Sequence, residues 1–243
     1  MQLLGSILFT VVFNLGTFFC GIVFFPLCLL LPFRYRWRLA NGYAHTLLFA
    51  LKWLCRLDYR VTGREHLPPG AHVSLWKHSS SWETFAMMAI FPQQVWVLKR
   101  ELMWLPFIGW TLALMKSIAV NRSAGPTAVS QVVEQGKDRL QRGSWVIIFP
   151  EGTRMPQGET RRYGSSGALL ASQAGCQIVP VAHDAGFFWQ RRGLLKLPGT
   201  IDVVIGAPIL AAGRDPRDLN LEVQTWIEKT IVDIRAKKKG GEC

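Results

Sequence analysis

The residues best suited to chemistry in this chain fall in two short stretches. One is Phe149 to Arg154, reading FPEGTR directly after the apolar run Trp145 to Ile148. Such a run predicts a strand, and a strand of an open α/β sheet delivers the residues after it to the carboxyl edge, where ligands bind. Arg154 brings a planar fork of donors that matches phosphate oxygens. Gly152 lets backbone approach an anion closely, and Thr153 adds a hydroxyl donor. The chemistry implied is phosphate binding. The plain alternative is a solvated turn in which Glu151 and Arg154 form a surface ion pair.

The other stretch is KHSSSWET, Lys77 to Thr84, in which Glu83 follows His78 by five residues. Imidazole is the usual general base near neutral pH, and a carboxylate that fixes its tautomer and stabilises the imidazolium completes a two-member base. Of the 5 histidines, only His78 has an acidic residue at this spacing. Ser80 and Glu83 also read as a capping box for a helix start. Both readings fit one geometry. Five residues of helix turn through about 500°, which would put the pair on different faces, so His78 belongs in the loop and Glu83 in the first helical turn.

With these stretches in view the chain resembles the glycerolphosphate acyltransferase family, and is most similar to its bacterial 1-acylglycerol-3-phosphate acyltransferases. Four blocks carry the resemblance, in the family's order: KHSSSWET, then LKRELMWLPFIGW from Leu98 to Trp110, then FPEGTR, then IVPVAHDAG from Ile178 to Gly186. Two positions depart from the family pattern. Glu83 stands where most members have aspartate, and Met155 where a serine commonly follows the arginine. Lipid A secondary acyltransferases resemble the histidine block too, but lack FPEGTR.

The resemblance implies transfer of an acyl group from acyl carrier protein or acyl-CoA, as co-substrate, to the sn-2 hydroxyl of lysophosphatidic acid, giving phosphatidic acid. It implies His78 as base with Glu83 holding its ring, and Arg154 with Lys99 or Arg100 on the acceptor phosphate. Glu151 would position the acceptor or Arg154, and backbone donors near the first block would hold the oxyanion. No nucleophilic serine, cofactor or metal is called for. Three rivals stand beside this reading: another lysolipid acceptor (a lyso-ornithine lipid or a lysophospholipid), a thioester hydrolase, and a non-catalytic membrane adaptor for acyl carrier protein.

The elements that must position these residues read as one mixed α/β domain, a mostly parallel sheet flanked by helices. Strands are predicted over Val73–Trp76, Val95–Leu98, Ser117–Val120, Trp145–Phe149, Ile178–Ala182 and Ile201–Ile205, and helices over Thr127–Gln141, Gly164–Ala174 and Leu219–Ala236. Pro68 and Pro69 mark a boundary between an amino-terminal membrane segment, residues 1–62, and a catalytic domain, 63–243, with Val73 opening the sheet.

No charged side chain occurs from Met1 to Phe33. A helix over Leu3–Phe33 would run about 46 Å against a hydrocarbon core of about 30 Å, so a straight perpendicular span is disfavoured. It is either tilted or bent, near Asn14 and Gly16 or at Pro26, into a hairpin in one leaflet. A cleaved signal is not expected, since the stretch lacks a basic leader. Arg34, Arg36 and Arg38 then favour the cytosolic side of the inner membrane, and the catalytic domain with them.

The net charge of +12 comes without helix-turn-helix or zinc-finger spacing, which argues for anionic lipid over nucleic acid. Ala44–Leu57 reads as an interfacial helix or a buried one, and the aromatic stretch Trp104–Trp110 as a bilayer contact or core. Seven of the 10 tryptophans precede residue 111, consistent with a membrane-facing amino-terminal half. The Lys237–Lys239 run is a solvated helix end or a lipid contact. The 5 cysteines have no metal-ligand spacing, and His183 reads as structural.

Overall fold

The computed structural model describes residues 1–240. In chain order the elements are α1 (Gln2–Leu30), α2 (Phe33–Cys55), β1 (Leu57–Thr62), β2 (Val73–Trp76), α3 (Glu83–Ile90), β3 (Gln94–Lys99), α4 (Ile108–Leu114), β4 (Ile118–Val120), α5 (Pro126–Gln141), β5 (Trp145–Ile148), α6 (Ser166–Ala174), β6 (Gln177–His183), α7 (Ala185–Phe188), β7 (Gly199–Ile205), β8 (Ile209–Leu210) and α8 (Pro216–Gly240). One mixed sheet runs β1-β7-β6-β2-β5-β3-β4, with β8 on β6. From β6 to β4 the strands are parallel, and β7 and β8 each pair antiparallel with β6. This is the mixed, mostly parallel sheet flanked by helices that the sequence predicts.

Alternation along the central strands sorts the core into two layers. Trp76, Trp145 and Ile147 face one layer with Phe85 of α3 and Leu47 of α2. Val73, Leu75, Val146 and Ile148 face the other, beneath α5, α6 and α8. Both faces of β2 and β5 are buried, which is why these strands read as unbroken apolar runs.

The sheet opens with β1, not with the Val73 strand. Leu57, Tyr59 and Val61 alternate with Asp58, Arg60 and Thr62, and β1 lies parallel to β7 with Arg60 bonded to Asp202 at 2.9 Å. That period-two pattern is legible in the sequence but lies against the end of a helical run, which masks it. The predicted helix over Ala44–Leu57 is the second half of α2. Its Ala44, Leu47, Leu48 and Leu51 are buried, as the buried-helix reading expects, while Phe49 and Trp53 are exposed.

The bend between the amino-terminal helices comes at Leu31 and Pro32. α1 runs unbroken through Asn14, Gly16 and Pro26. Pro26 removes one donor four residues before the helix end, too late to divide it, whereas Leu31 is extended, with φ −90° and ψ 142°. α2 then returns along α1. Gly5 meets the carbonyl of Leu54 at the far end, and Gly21 packs on Phe107 and Ile108. Buried Lys196 ties α1 to the sheet domain: its Nζ reaches Thr10 Oγ1 at 2.5 Å and the Leu194 carbonyl at 2.8 Å, over the Trp189 ring. Lys238, in the run near the carboxyl end, is structural, pairing with Asp184 and Asp202 at 2.5 and 3.0 Å.

The Gly5 crossing generates a test. A Cβ at Gly5 would lie 2.0 Å from the Leu54 carbonyl oxygen, whereas one at Gly42 meets nothing within 4 Å. Gly5→Ala should therefore destabilise by about 1–3 kcal/mol as α1 is pushed off α2. Gly42→Ala should be neutral or stabilising by up to about 1 kcal/mol through helix propensity. Thermal unfolding of the two variants in the same detergent checks both directions.

Candidate active site

The site is built at the carboxyl edge of β2, β5 and β3, three neighbouring parallel strands. β2 ends at Trp76, and the chain turns into α3 through Lys77–Trp82. Glu83 is the first residue of that helix and is fully buried. Its Oε1 accepts from His78 Nδ1, the Ser79 amide and the Ser80 amide, each at 2.8 Å. The capping box is thus half made: glutamate takes the Ser80 amide, while the Ser80 hydroxyl accepts from Trp82 instead, at 3.2 Å. Burial opposes charge on Glu83, but the bonds from His78, the nearby His183 and the Ser80 amide outweigh it and hold its pKa below the ordinary carboxylate value. Glu83 therefore stays ionised and fixes the His78 tautomer with its proton on Nδ1. Nε2 is left as the free acceptor.

The FPEGTR turn splits. Phe149 stacks on the His78 ring at 4.2 Å. Glu151 turns inward, 2% exposed, rather than toward a ligand: its Oε2 accepts from the His78 amide at 2.7 Å, and Lys77 lies 2.8 Å from its Oε1. Lys77 also pairs with Glu228 at 2.8 Å, and Tyr163 donates to the same Glu228 oxygen. Burial, only partly offset by a lysine shared with Glu228, pushes the Glu151 pKa up to about 7. Gly152 makes the turn in a left-handed conformation, φ +68°. His183 is structural, as its sequence context implies. It accepts from the Ala185 amide on Nδ1, so Nε2 donates to the Lys77 carbonyl, and burial lowers its pKa.

His78, Thr153, Arg154 and Lys99 line one cavity of about 550 Å³. Its apolar walls come from Phe13 of α1, Leu47 of α2, Met88 of α3, Trp96 of β3 and Leu112 of α4. Arg100, the other cation weighed for the phosphate, is not among the lining residues. Its guanidinium lies over Trp104, 5.9 Å from the ring centre. Two lining residues the sequence reading missed are Arg191 and Arg192, in the connection from α7 to β7. An adjacent arginine pair is a visible signal, but it lies outside the recognisable blocks, and only folding brings it to this cavity. The amides of His78, Ser79 and Ser80 are all committed to carboxylates. These three are therefore not available as oxyanion donors in this arrangement.

A histidine–carboxylate pair with one free imidazole nitrogen, facing a cavity with apolar walls and cations, is the layout of an enzyme that activates a hydroxyl for attack. Residues 58–184 match the family model described as Acyltransferase. The chain is 39% identical over 238 residues to a 1-acyl-sn-glycerol-3-phosphate acyltransferase of Pseudomonas aeruginosa, covering 96% of this chain and 93% of that one. It is 30% identical over 184 residues to a Limnanthes alba protein of the same name, covering 74% of this chain and 65% of that one. The crystal structure of the 1-acyl-sn-glycerophosphate (LPA) acyltransferase PlsC from Thermotoga maritima shares the fold, with a TM-score of 0.79 over 97% of this chain and 96% of that one at 20% identity. The chain belongs to the acyltransferase family and is an acyltransferase.

Glu151 carries a pH signature. The folded carboxyl keeps its proton up to about pH 7, while the unfolded one releases it near its ordinary 4.5. The folded state then binds more protons in that interval, so this group's contribution to stability falls as pH rises through it. Glu151→Gln has no such proton to lose. The thermal midpoint of the wild type relative to this variant should decline from pH 5 to pH 8. A difference that grows with pH would mean that the Lys77 pair outweighs burial.

Proposed function

We propose that the protein transfers the acyl group of an acyl thioester, carried by acyl carrier protein or coenzyme A, to the sn-2 hydroxyl of 1-acyl-sn-glycerol 3-phosphate, forming phosphatidic acid. One observation carries this reading: His78 lines the same cavity as Arg154 and Lys99, and apolar side chains such as Phe13, Leu47, Met88 and Leu112 form its other walls. A lysophospholipid with a terminal phosphate has the matching parts: anion, hydroxyl and tail. The names of the relatives agree with that substrate.

In this reading His78 Nε2 takes the proton of the acceptor hydroxyl as its oxygen attacks the thioester carbonyl, and ionised Glu83 stabilises the imidazolium. The tetrahedral oxyanion collapses and expels the thiolate, which recovers the proton from His78. Arg154 and Lys99 hold the acceptor phosphate, with Thr153 adding its hydroxyl. With the His78, Ser79 and Ser80 amides occupied, we assign oxyanion stabilisation to the Thr153–Arg154 turn. Glu151 supports His78 from behind. The serines of the first block serve the turn into α3 and are not nucleophiles.

α1 is long and apolar enough to anchor in a membrane. Its Leu4, Leu8, Leu15 and Phe19 are exposed, together with Phe49 and Trp53 of α2 and Trp104 and Trp110 near α4. Because α1 is bound along its length to α2, α4 and the sheet domain, we assign the pair to one leaflet of the inner membrane, with the catalytic domain on the cytosolic side and its cations toward anionic lipid.

With purified enzyme in mixed micelles, labelled acyl thioester and lysophosphatidic acid, His78→Ala should lose at least ~100-fold in kcat, the usual contribution of a general base. Near-normal turnover by this variant would remove His78 from the chemistry. Arg154→Lys should raise the acceptor KM on the order of tenfold by replacing a bidentate fork with a point charge. An acceptor whose phosphate is capped as a diester should lose the same advantage. Equal use of capped and free phosphates would favour a different lysolipid acceptor.

A further inference from the structure

A second cavity, about 350 Å³, lies behind the FPEGTR turn and shares only Val97 and Phe149 with the first. Thr153 and Arg154 line the first cavity, whereas Pro150 and Gly152 line the second, with the Glu151 carboxylate buried against His78 and Lys77, so the turn lies between the two. The floor of the second is apolar, from Val120, Val129, Val132 and Ile148. Its lip carries Arg161 and Arg162. The backbone of this lip is pinned to α8: Gln224 donates to the Arg161 carbonyl at 3.2 Å and accepts from the Tyr163 amide at 3.3 Å. Gly164 donates to the Pro150 carbonyl at 2.7 Å. Both guanidinium groups are exposed, and neither has an ion-pair partner among the described residues.

The position of this cavity matters as much as its lining. It opens on the α5 and α6 side of the sheet, opposite the layer that packs against α1 and α2 and leads to the exposed apolar helices. In the membrane placement proposed above, a ligand reaches this cavity from water. The cavity also ends one ring away from the base, since Phe149 lines it and stacks on His78. An anionic headgroup at the lip, followed by an uncharged arm over an apolar floor and a reactive end beside His78, describes a phosphorylated pantetheine thioester.

We propose that this cavity is the subsite for the phosphopantetheine arm of the acyl donor, with Arg161 and Arg162 holding its phosphate and the thioester passing Phe149 into the His78 cavity. The inference rests on the proposed reaction and deepens it: two phosphate-bearing substrates are received on opposite sides of one turn. Arginine forks suit a phosphodiester, and the volume lies within the ordinary range for small-molecule sites, roughly 300–1,000 Å³. Carrier protein and coenzyme A share this arm, so both are ligands.

The test compares wild type with the double variant Arg161→Gln/Arg162→Gln, whose positions are exposed and leave the core intact. Donors are a palmitoyl thioester of coenzyme A, of acyl carrier protein, and of N-acetylcysteamine, which has the thioester without the phosphate. The variant should raise the donor KM on the order of tenfold for both phosphorylated donors, as expected for lost charge-assisted bonds. Selectivity for the coenzyme A thioester over the N-acetylcysteamine one should fall by the same factor. Val129→Phe, which fills the floor, should act in the same direction.

A rise in acceptor KM instead, equal effects on all three donors, or an effect confined to the carrier protein would each overturn the assignment; the last would place the arginines against the carrier's surface. Calorimetric titration of coenzyme A without acceptor separates this subsite from the reaction itself. Binding weakened in the variant supports the subsite whatever the wild type's acceptor, and binding equal in both overturns it. Wild-type turnover with lysophosphatidic acid reports on the reaction alone.

Discussion

The site depends on one buried oxygen. Glu83 Oε1 receives three donors, the His78 imidazole and the amides of Ser79 and Ser80, and so holds the tautomer of the ring and the path of the loop together. A fully buried carboxylate is costly unless its charge is compensated. Here compensation comes from donors that must converge on it, so folding of this loop and formation of the His78–Glu83 pair are one event. The glutamate side chain carries Oε1 to these donors from the first position of α3. The turn before α3 brings all three donors to it.

From that oxygen the arrangement spreads through the sheet. β2 and β5 are parallel neighbours, so the loops after them leave from the same edge, and the Glu151 carboxylate can cross to the His78 amide. Lys77 at the start of one loop is the counter-ion of Glu151 in the other and of Glu228 in α8, which ties the carboxyl-terminal helix to the catalytic edge. Such a network is demanding, since removal of one member leaves a buried charge uncompensated. It also explains why Glu151 serves the protein and not the ligand.

The amino-terminal helices belong to the same unit. Phe13 and Leu47 are walls of the His78 cavity. Lys196, buried without a carboxylate partner among the described residues, is satisfied by oxygens of α1 and by aromatic faces. The apolar outer face of these helices and the apolar inner wall of the cavity are therefore two sides of one pair.

The sequence by itself determined which groups are available for chemistry and most of the elements. His78 and Glu83, and the run Glu151 to Arg154, are local patterns, and apolar runs such as Trp145–Ile148 are strands because both their faces are buried. What it could not determine is direction. Glu151 and Arg154 are three residues apart in one turn, yet one points inward to Lys77 and the other lines the cavity, because the turn is pulled between β2 and the solvent edge. Lys99 and Arg100 are adjacent, and only the end of β3 sends the first to the cavity and the second onto Trp104. Arg191 and Arg192 are visible as an adjacent pair, but only long-range folding of the connection from α7 to β7 brings them to the cavity that His78 lines. Local spacing sets which groups are available, whereas the facing of each group is set by contacts between residues far apart in the chain, which no short window contains.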